Sequence, residues 1–147
     1  MRLTSLAFGE KLPVPSQYTC AGKNISPPLE FIDVPRSAKS LAIVARDDDS
    51  PDKKIYWLVF NIPGNTTHLD EGRLPQGAIG GLNSDGKPGY EGPCPKNFHG
   101  IHRFRFTLFA LDQTLDMPAN APVDEVIGAL TSHIIDHADL MGIAEGE

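Results

Sequence analysis

The sequence has only two cysteines and one tryptophan in 147 residues. Cys20 and Cys94 are too few for the disulfide framework of a small secreted domain, and they leave either one bridge or two free thiols open. A chain of this length does not need disulfide bonds to be stable, because a domain of about 150 residues buries roughly two-thirds of its unfolded surface. The length therefore predicts a single domain, residues 1–147, held by an ordinary hydrophobic core.

Long apolar runs and basic clusters are also lacking. No segment approaches the roughly 18 apolar residues of a membrane-spanning helix, and the N-terminus lacks the apolar stretch of a signal peptide. The formal net charge is −6, and the longest basic cluster is Lys53-Lys54. These features argue against a stable membrane span and against a nucleic-acid partner. We therefore expect a soluble, cytoplasmic protein.

The apolar segments that are present predict a mainly β domain. Residues 41–45 and 55–62 are short apolar runs, the second rich in β-branched and aromatic side chains, and both are typical of buried strands. Residues 104–111 begin with a strict alternation, which places Phe104, Phe106 and Leu108 on one face of a third strand.

One helix is predicted near the C-terminus, over residues 123–140. Acidic residues in its first turn favour the positive end of the helix dipole. The apolar residues that recur at helical spacing are Val123, Ile127, Leu130, Ile134, Ala138 and Met141. Strands followed by a final helix indicate a helix docked on a β-rich domain.

Three consecutive carboxylates follow the first buried strand. In continued strand geometry Asp47 and Asp49 point to one side and Asp48 to the other. Taken alone, the triplet is better explained as a solvated turn with Asp side chains capping backbone amides. A divalent metal site is disfavoured, since no second acidic group follows at ligand spacing and Ca²⁺ prefers about six to eight oxygens.

A glycine- and proline-rich segment, residues 89–95, precedes His102. Glycines leave backbone N–H groups open to an oxyanion, and a histidine at the start of a strand adds a donor. An isolated loop of this kind is usually a surface loop with no binding role. Beside the carboxylates of a neighbouring strand, it predicts a polar pocket.

Two further histidines, His133 and His137, have the four-residue spacing of a metal-binding pair on the predicted helix. No Glu follows the first histidine as it does in the H-E-x-x-H motif, and His137 borders the apolar face. Packing or surface roles are therefore favoured, and neither a metal nor a cofactor is predicted.

Several segments together resemble a known family. Residues 18–29, YTCAGKNISPPL, are similar to the opening motif of bacterial and archaeal phosphatidylethanolamine-binding proteins, also called Raf kinase inhibitor protein-like. Residues 47–51 resemble the DPDAP box of that family, and residues 57–63 match its next strand. Residues 90–95 and 102–104 resemble its GPCPP…HRY box. The resemblance covers nearly the whole chain in the same order.

The resemblance implies a fold and a binding function. The implied fold has a central antiparallel sheet, a second smaller sheet and a C-terminal α-helix. The implied function is binding of small anionic or zwitterionic phosphate-containing ligands, such as a phospholipid headgroup or a phosphate ester. It also implies a cytoplasmic protein in which Cys20 and Cys94 are free thiols. The ligand-binding residues that it implies are Asp47, Tyr56, Tyr90, Gly92, Cys94, Pro95 and His102.

This sequence departs from the family pattern at three places near the pocket. Tyr56 replaces a usual histidine, Phe104 replaces a usual tyrosine, and Lys96 stands where a second proline is common. The phenol usual at position 104 is lost and one is gained at position 56. Tyr56 is therefore predicted to donate a hydrogen bond to the ligand from a different wall of the pocket.

Two alternatives to the binding module are open. The chain can act as a regulator that docks a kinase or another protein, although no docking motif is present. It can also be a hydrolase that uses Cys94 or Asp47 with His102. This hypothesis is less favoured than the binding module, because the resemblance implies no nucleophile. The protein partner is unknown, and a monomer or a homodimer is expected.

Overall fold

The computed structural model describes every residue from Met1 to Glu147. It contains nine strands, one α-helix and two short 3₁₀ turns, at Ser16–Tyr18 and Pro95–Asn97. In chain order the elements are β1 Arg2–Thr4, β2 Leu12–Pro13, β3 Leu29–Ile32, β4 Ser40–Asp47, β5 Ile55–Pro63, β6 His68–Leu69, β7 Ile79–Gly80, β8 Ile101–Leu111, α1 Val123–Thr131 and β9 Ile134–Glu145.

The strands form two sheets. The larger sheet has six strands in the order β2-β9-β8-β4-β5-β7, and the smaller has three in the order β1-β3-β6. All neighbouring strands are antiparallel except β2 and β9, which pair in parallel. The predicted mainly β class, with a large central sheet and a second smaller one, is confirmed.

Each face of the central sheet is covered by a different layer. The alternation predicted in β8 is confirmed, since Phe104, Phe106 and Leu108 share one core with side chains of the smaller sheet. The opposite face packs against Val126 and Leu130 of α1. Both buried strands predicted from the apolar runs are present as β4 and β5. Because β4 is covered on both faces, its end is held in a fixed position.

The predicted extent of the helix, residues 123–140, is wrong. The helix α1 ends at Thr131, and β9 begins at Ile134 and pairs with β8 along its whole length. The apolar residues in this segment fit a strand as well as a helix, and pairing satisfies the open edge of β8. His133 therefore lies in the turn before β9 and His137 lies on β9, so the two do not share a helix. The single α-helix has nine residues, and no helix is long and apolar enough to cross a membrane.

Candidate functional site

A cavity of about 560 Å³ lies at the edge of the central sheet where β4 ends and β5 and β8 begin. Antiparallel neighbours bring these three strand ends together, so residues distant in the chain meet there. The lining residues are Cys20, Asn24, Asp47, Asp49, Ser50, Pro51, Lys54, Tyr56, Glu91, Gly92, Pro93, Cys94, Asn97, Phe98, His102 and Phe104.

Asp47 and His102 form an ion-pair-like contact in this cavity. His102 Nδ1 lies 2.8 Å from Asp47 Oδ2 and 3.1 Å from Oδ1. The strand register places Asp47 opposite Phe104, and His102 lies two residues earlier on β8, so all three share a sheet face. The imidazole also stacks on Phe98, with ring centroids 4.0 Å apart. With Nδ1 directed at the carboxylate, Nε2 is the nitrogen left for a ligand.

Asp47 and Asp49 lie on the cavity side and Asp48 does not, but this division arises from a turn after Asp47 and not from the continued strand geometry that the prediction assumed. Asp47 and Asp49 line the cavity, whereas Asp48 accepts a hydrogen bond of 2.8 Å from Arg105 Nε outside it. Asp49 accepts bonds from the Arg103 guanidinium, which hold the pKa of the Asp49 carboxyl below its ordinary value. The charge of Asp49 is therefore compensated, and Asp47 has only His102 as a partner of possible positive charge.

The cavity wall opposite the strands joins residues 18–24 to residues 90–94. A disulfide links Cys20 to Cys94, and the Cys20 N–H donates to the Pro93 carbonyl at 2.9 Å. The Gly92 N–H donates to Asn24 Oδ1 at 2.9 Å. A Cβ on Gly92 would lie 2.2 Å from the Tyr18 carbonyl oxygen, so the close approach of the two segments requires glycine.

The prediction that Cys20 and Cys94 are free thiols is wrong. It rested on resemblance to cytoplasmic proteins, and a separation of 74 residues indicates nothing about proximity in the fold. The cytoplasmic location stays a prediction, and the bridge weighs against it because structural disulfides are rare in the cytosol.

Among the loop residues that line the cavity, 91–94, one backbone donor remains open. The Glu91 N–H donates to the Tyr56 carbonyl, and the Gly92 N–H is used by Asn24. Pro93 has no N–H. The Cys94 N–H donates to no group of the chain, so it is the donor that this loop can offer to an anion.

Lys54 is the one lysine in the lining, but its charge is already engaged. Its ammonium group pairs with Asp85 and lies 3.6 Å from Glu91 Oε2. Glu91 also accepts a bond of 2.8 Å from Asn83 Nδ2. Lys54 therefore compensates carboxylates of the protein rather than offering a free positive charge.

Five of the seven predicted binding residues meet in this cavity: Asp47, Tyr56, Gly92, Cys94 and His102. The structure places Tyr90 and Pro95 outside its lining. Tyr90 Oη donates to the Tyr18 carbonyl at 2.7 Å, and the Pro95 carbonyl accepts from Phe98 and Glu147. Both residues support the wall from behind, and the ligand-binding role of the other five stays a prediction.

Sequence reasoning missed several lining residues, among them Asn24 and Phe98. Asn24 has a backbone φ of 57°, a conformation that asparagine tolerates better than most residues. An Asn inside the residue 18–29 motif was a signal for such a turn. Phe98 carried no local signal, because its stacking on His102 depends on the path of residues 95–100.

All three tyrosines are expected to stay protonated at a pH where a tyrosine in water is half ionised. Burial raises the pKa of Tyr18, Tyr56 and Tyr90 above the ordinary value of 10.0. The stability that this protonation provides is complete below about pH 10 and is lost as the pH rises towards the folded-state pKa values. A titration of phenolate absorbance should show little ionisation in the native protein at pH 10 and half ionisation in denaturant. Ordinary ionisation of the native protein would contradict the burial of these phenols.

Comparison with known proteins gives matches over almost the entire chain. The family model described as phosphatidylethanolamine-binding protein matches residues 4–145. A UPF0098 protein of Methanothermobacter thermautotrophicus is 44% identical over 149 residues, which cover 97% of each chain. A UPF0098 protein of Chlamydia pneumoniae is 46% identical over 151 residues, which cover 99% of each.

Two solved structures share the fold. A phosphatidylethanolamine-binding protein homologue from Chlamydia trachomatis superposes with a TM-score of 0.90 and 39% identity, over 99% of this chain and 97% of that one. YbcL of Escherichia coli, described as a new member of the mammalian family, gives a TM-score of 0.92 and 27% identity, over 99% and 98%.

Proposed function

The chain belongs to the phosphatidylethanolamine-binding protein family, and from that membership we propose that it is a binding protein for small phosphate-bearing anions. The ligand class is a phospholipid headgroup or a phosphate ester. The observation that carries the proposal is the pair of Asp47 and His102 inside the cavity.

The pair of Asp47 and His102 is suited to binding an oxyanion because the imidazole has two nitrogens with separate partners. When the imidazole is protonated, Nδ1–H donates to Asp47, and Nε2–H is left to donate to a phosphate oxygen as a charge-assisted hydrogen bond. The Cys94 N–H can supply a second donor from the loop. Asp47 contacts Nδ1 of His102 and can also attract an ammonium group, so a zwitterion such as phosphoethanolamine matches both signs.

Binding without catalysis is the better account of this cavity. A thiol hydrolase requires a thiolate, and the sulfur of Cys94 is bonded to that of Cys20. The alternative nucleophile, Asp47, is directed at His102 Nδ1. We therefore propose a binding protein in which these groups hold the ligand.

Calorimetric titration of phosphate and phosphoethanolamine tests the proposal. His102→Ala should weaken both ligands by about one to two orders of magnitude, because a hydrogen bond to a charged group contributes roughly 1.5–3 kcal/mol. Asp47→Asn keeps an acceptor for His102 but removes the charge, so it should weaken phosphoethanolamine more than phosphate.

His68→Ala provides the matched control. His68 is exposed, lies outside the cavity and pairs with Asp70, so its removal should leave both affinities unchanged. Wild-type affinities in both the His102 and the Asp47 variants, with folding intact, would show that this cavity is not the binding site.

A further inference from the structure

The Tyr56 hydroxyl is a buried polar group that the pair of Asp47 and His102 does not explain. Tyr56 lines the cavity and is only 2% exposed, and its Oη has no hydrogen-bond partner. Buried hydroxyl groups are almost always hydrogen-bonded, so an unpartnered one beside a cavity indicates a donor kept for a ligand.

The ring of Tyr56 is held in place by other aromatic rings. Phe104, Tyr90 and Phe106 contact it edge to face, with centroid distances of 5.5, 6.0 and 6.1 Å. This packing opposes a swing of the phenol into solvent. The hydroxyl is therefore a pre-positioned donor.

The hydroxyl is also a neutral donor. Burial, with smaller contributions from Tyr90, Asp47 and Asp48, raises the pKa of the Tyr56 phenol well above 10.0. It thus retains its proton over the physiological range and adds no positive charge to the cavity.

Positive charge in the cavity is scarce. Of its five ionisable residues besides Tyr56, three are acidic and two are basic: Asp47, Asp49, Glu91, Lys54 and His102. Asp49 is compensated by Arg103, and Lys54 by Asp85 and Glu91. Of the basic groups, only His102 keeps a nitrogen, Nε2, that no group of the protein engages, and it stands next to Asp47. A second negative charge on the ligand would have no cation to meet it.

We propose that Tyr56 is a specificity-determining residue that, with His102, makes the cavity select singly charged phosphodiesters over doubly charged phosphate esters. This proposal rests on the proposed function and names its ligand class. The neutral hydroxyl donates to one non-bridging oxygen of the diester, and His102 Nε2–H binds the other. The aromatic walls formed by Phe98 and Phe104 are suited to the uncharged substituents of a diester.

Methyl sulfate, dimethyl phosphate and sulfate are the probes, because the first two carry one charge and sulfate carries two throughout the working pH range. Calorimetry on the wild-type chain should show both monoanions binding about tenfold tighter than sulfate. Tyr56→Phe should weaken the monoanions by about tenfold. Tyr56→His replaces a neutral donor with a chargeable one and should shift the preference towards sulfate at low pH.

Tyr18→Phe is the matched control. It removes another phenol with a buried ring, but its hydroxyl contacts Gln17 and Glu71 outside the cavity. It should leave the ratio of monoanion to sulfate affinity unchanged. Tighter sulfate binding by the wild type, or an unchanged ratio in both Tyr56 variants, would overturn this proposal while leaving anion binding intact. Failure of all three anions to bind would overturn the proposed function as well.

The phosphodiester can come from a free ester or from a membrane lipid. Titration with glycerophosphoethanolamine tests the free form, and co-sedimentation with vesicles of phosphatidylethanolamine and phosphatidylglycerol tests the lipid form. Uptake of either form that weakens by about tenfold in Tyr56→Phe supports the proposal. Uptake of neither form overturns it.

Discussion

Phe106→Ala is expected to lower the free energy of unfolding by about 3–5 kcal/mol, the usual range for truncating a buried phenylalanine. Phe106 lies on the central strand β8 and is fully buried. Its ring contacts Phe8, Tyr56 and Trp57 at centroid distances of 6.0, 6.1 and 6.4 Å. Its removal therefore opens a cavity between the two sheets, and one of the walls of that cavity is Tyr56.

Phe109→Ala is the comparison for this prediction. Phe109 lies three residues further along β8, on the opposite face, and is only half-buried beside His137. Its truncation should lower the free energy of unfolding by clearly less than Phe106→Ala does, because less apolar surface returns to water. Urea unfolding of the wild type and the two variants, with equal m-values, measures the difference. Equal losses would contradict the assignment of Phe106 to the principal core.

The strands were predictable because their side-chain patterns are local. In residues 41–45 and 55–62 the apolar runs exclude an exposed loop, and the alternation at Phe104, Phe106 and Leu108 has the period of a strand. The side-chain pattern of the segment from Ile134 to Met141 does not distinguish a helix from a strand. Its apolar residues suit both periods, and only the long open edge of β8, a tertiary feature, selects the strand.

The site was predictable in part for the same reason. Asp47 and His102 end and begin adjacent strands, so an antiparallel pairing brings them together, and the family resemblance named both. Tyr90 and Pro95 belong to the same loop as Gly92 and Cys94, but the side-chain direction of each loop residue depends on backbone turns that spacing does not reveal. The link between Cys20 and Cys94 likewise depends on a chain path that no local pattern encodes.

Cys20→Ser combined with Cys94→Ser is expected to lower the free energy of unfolding by about 4 kcal/mol. The bridge closes a segment with a separation of 74 residues, and long closed loops restrict the unfolded chain most in the chain-entropy account. The folded chain should persist, because backbone and Asn24 hydrogen bonds still join the two segments.

Urea unfolding with and without a thiol reductant provides the test. Reductant should destabilise the wild type to about the level of the double serine variant and should leave that variant unchanged. Anion titration of the same samples then reports on the cavity: since Cys94 supplies the open N–H of the wall and is anchored by Cys20, loss of the bridge should also weaken anion binding. Alkylation of both cysteines in the native protein without reductant, or a wild-type stability that reductant does not alter, would contradict the bridge. Loss of stability with unchanged anion affinity would instead show that the remaining hydrogen bonds suffice to position Cys94.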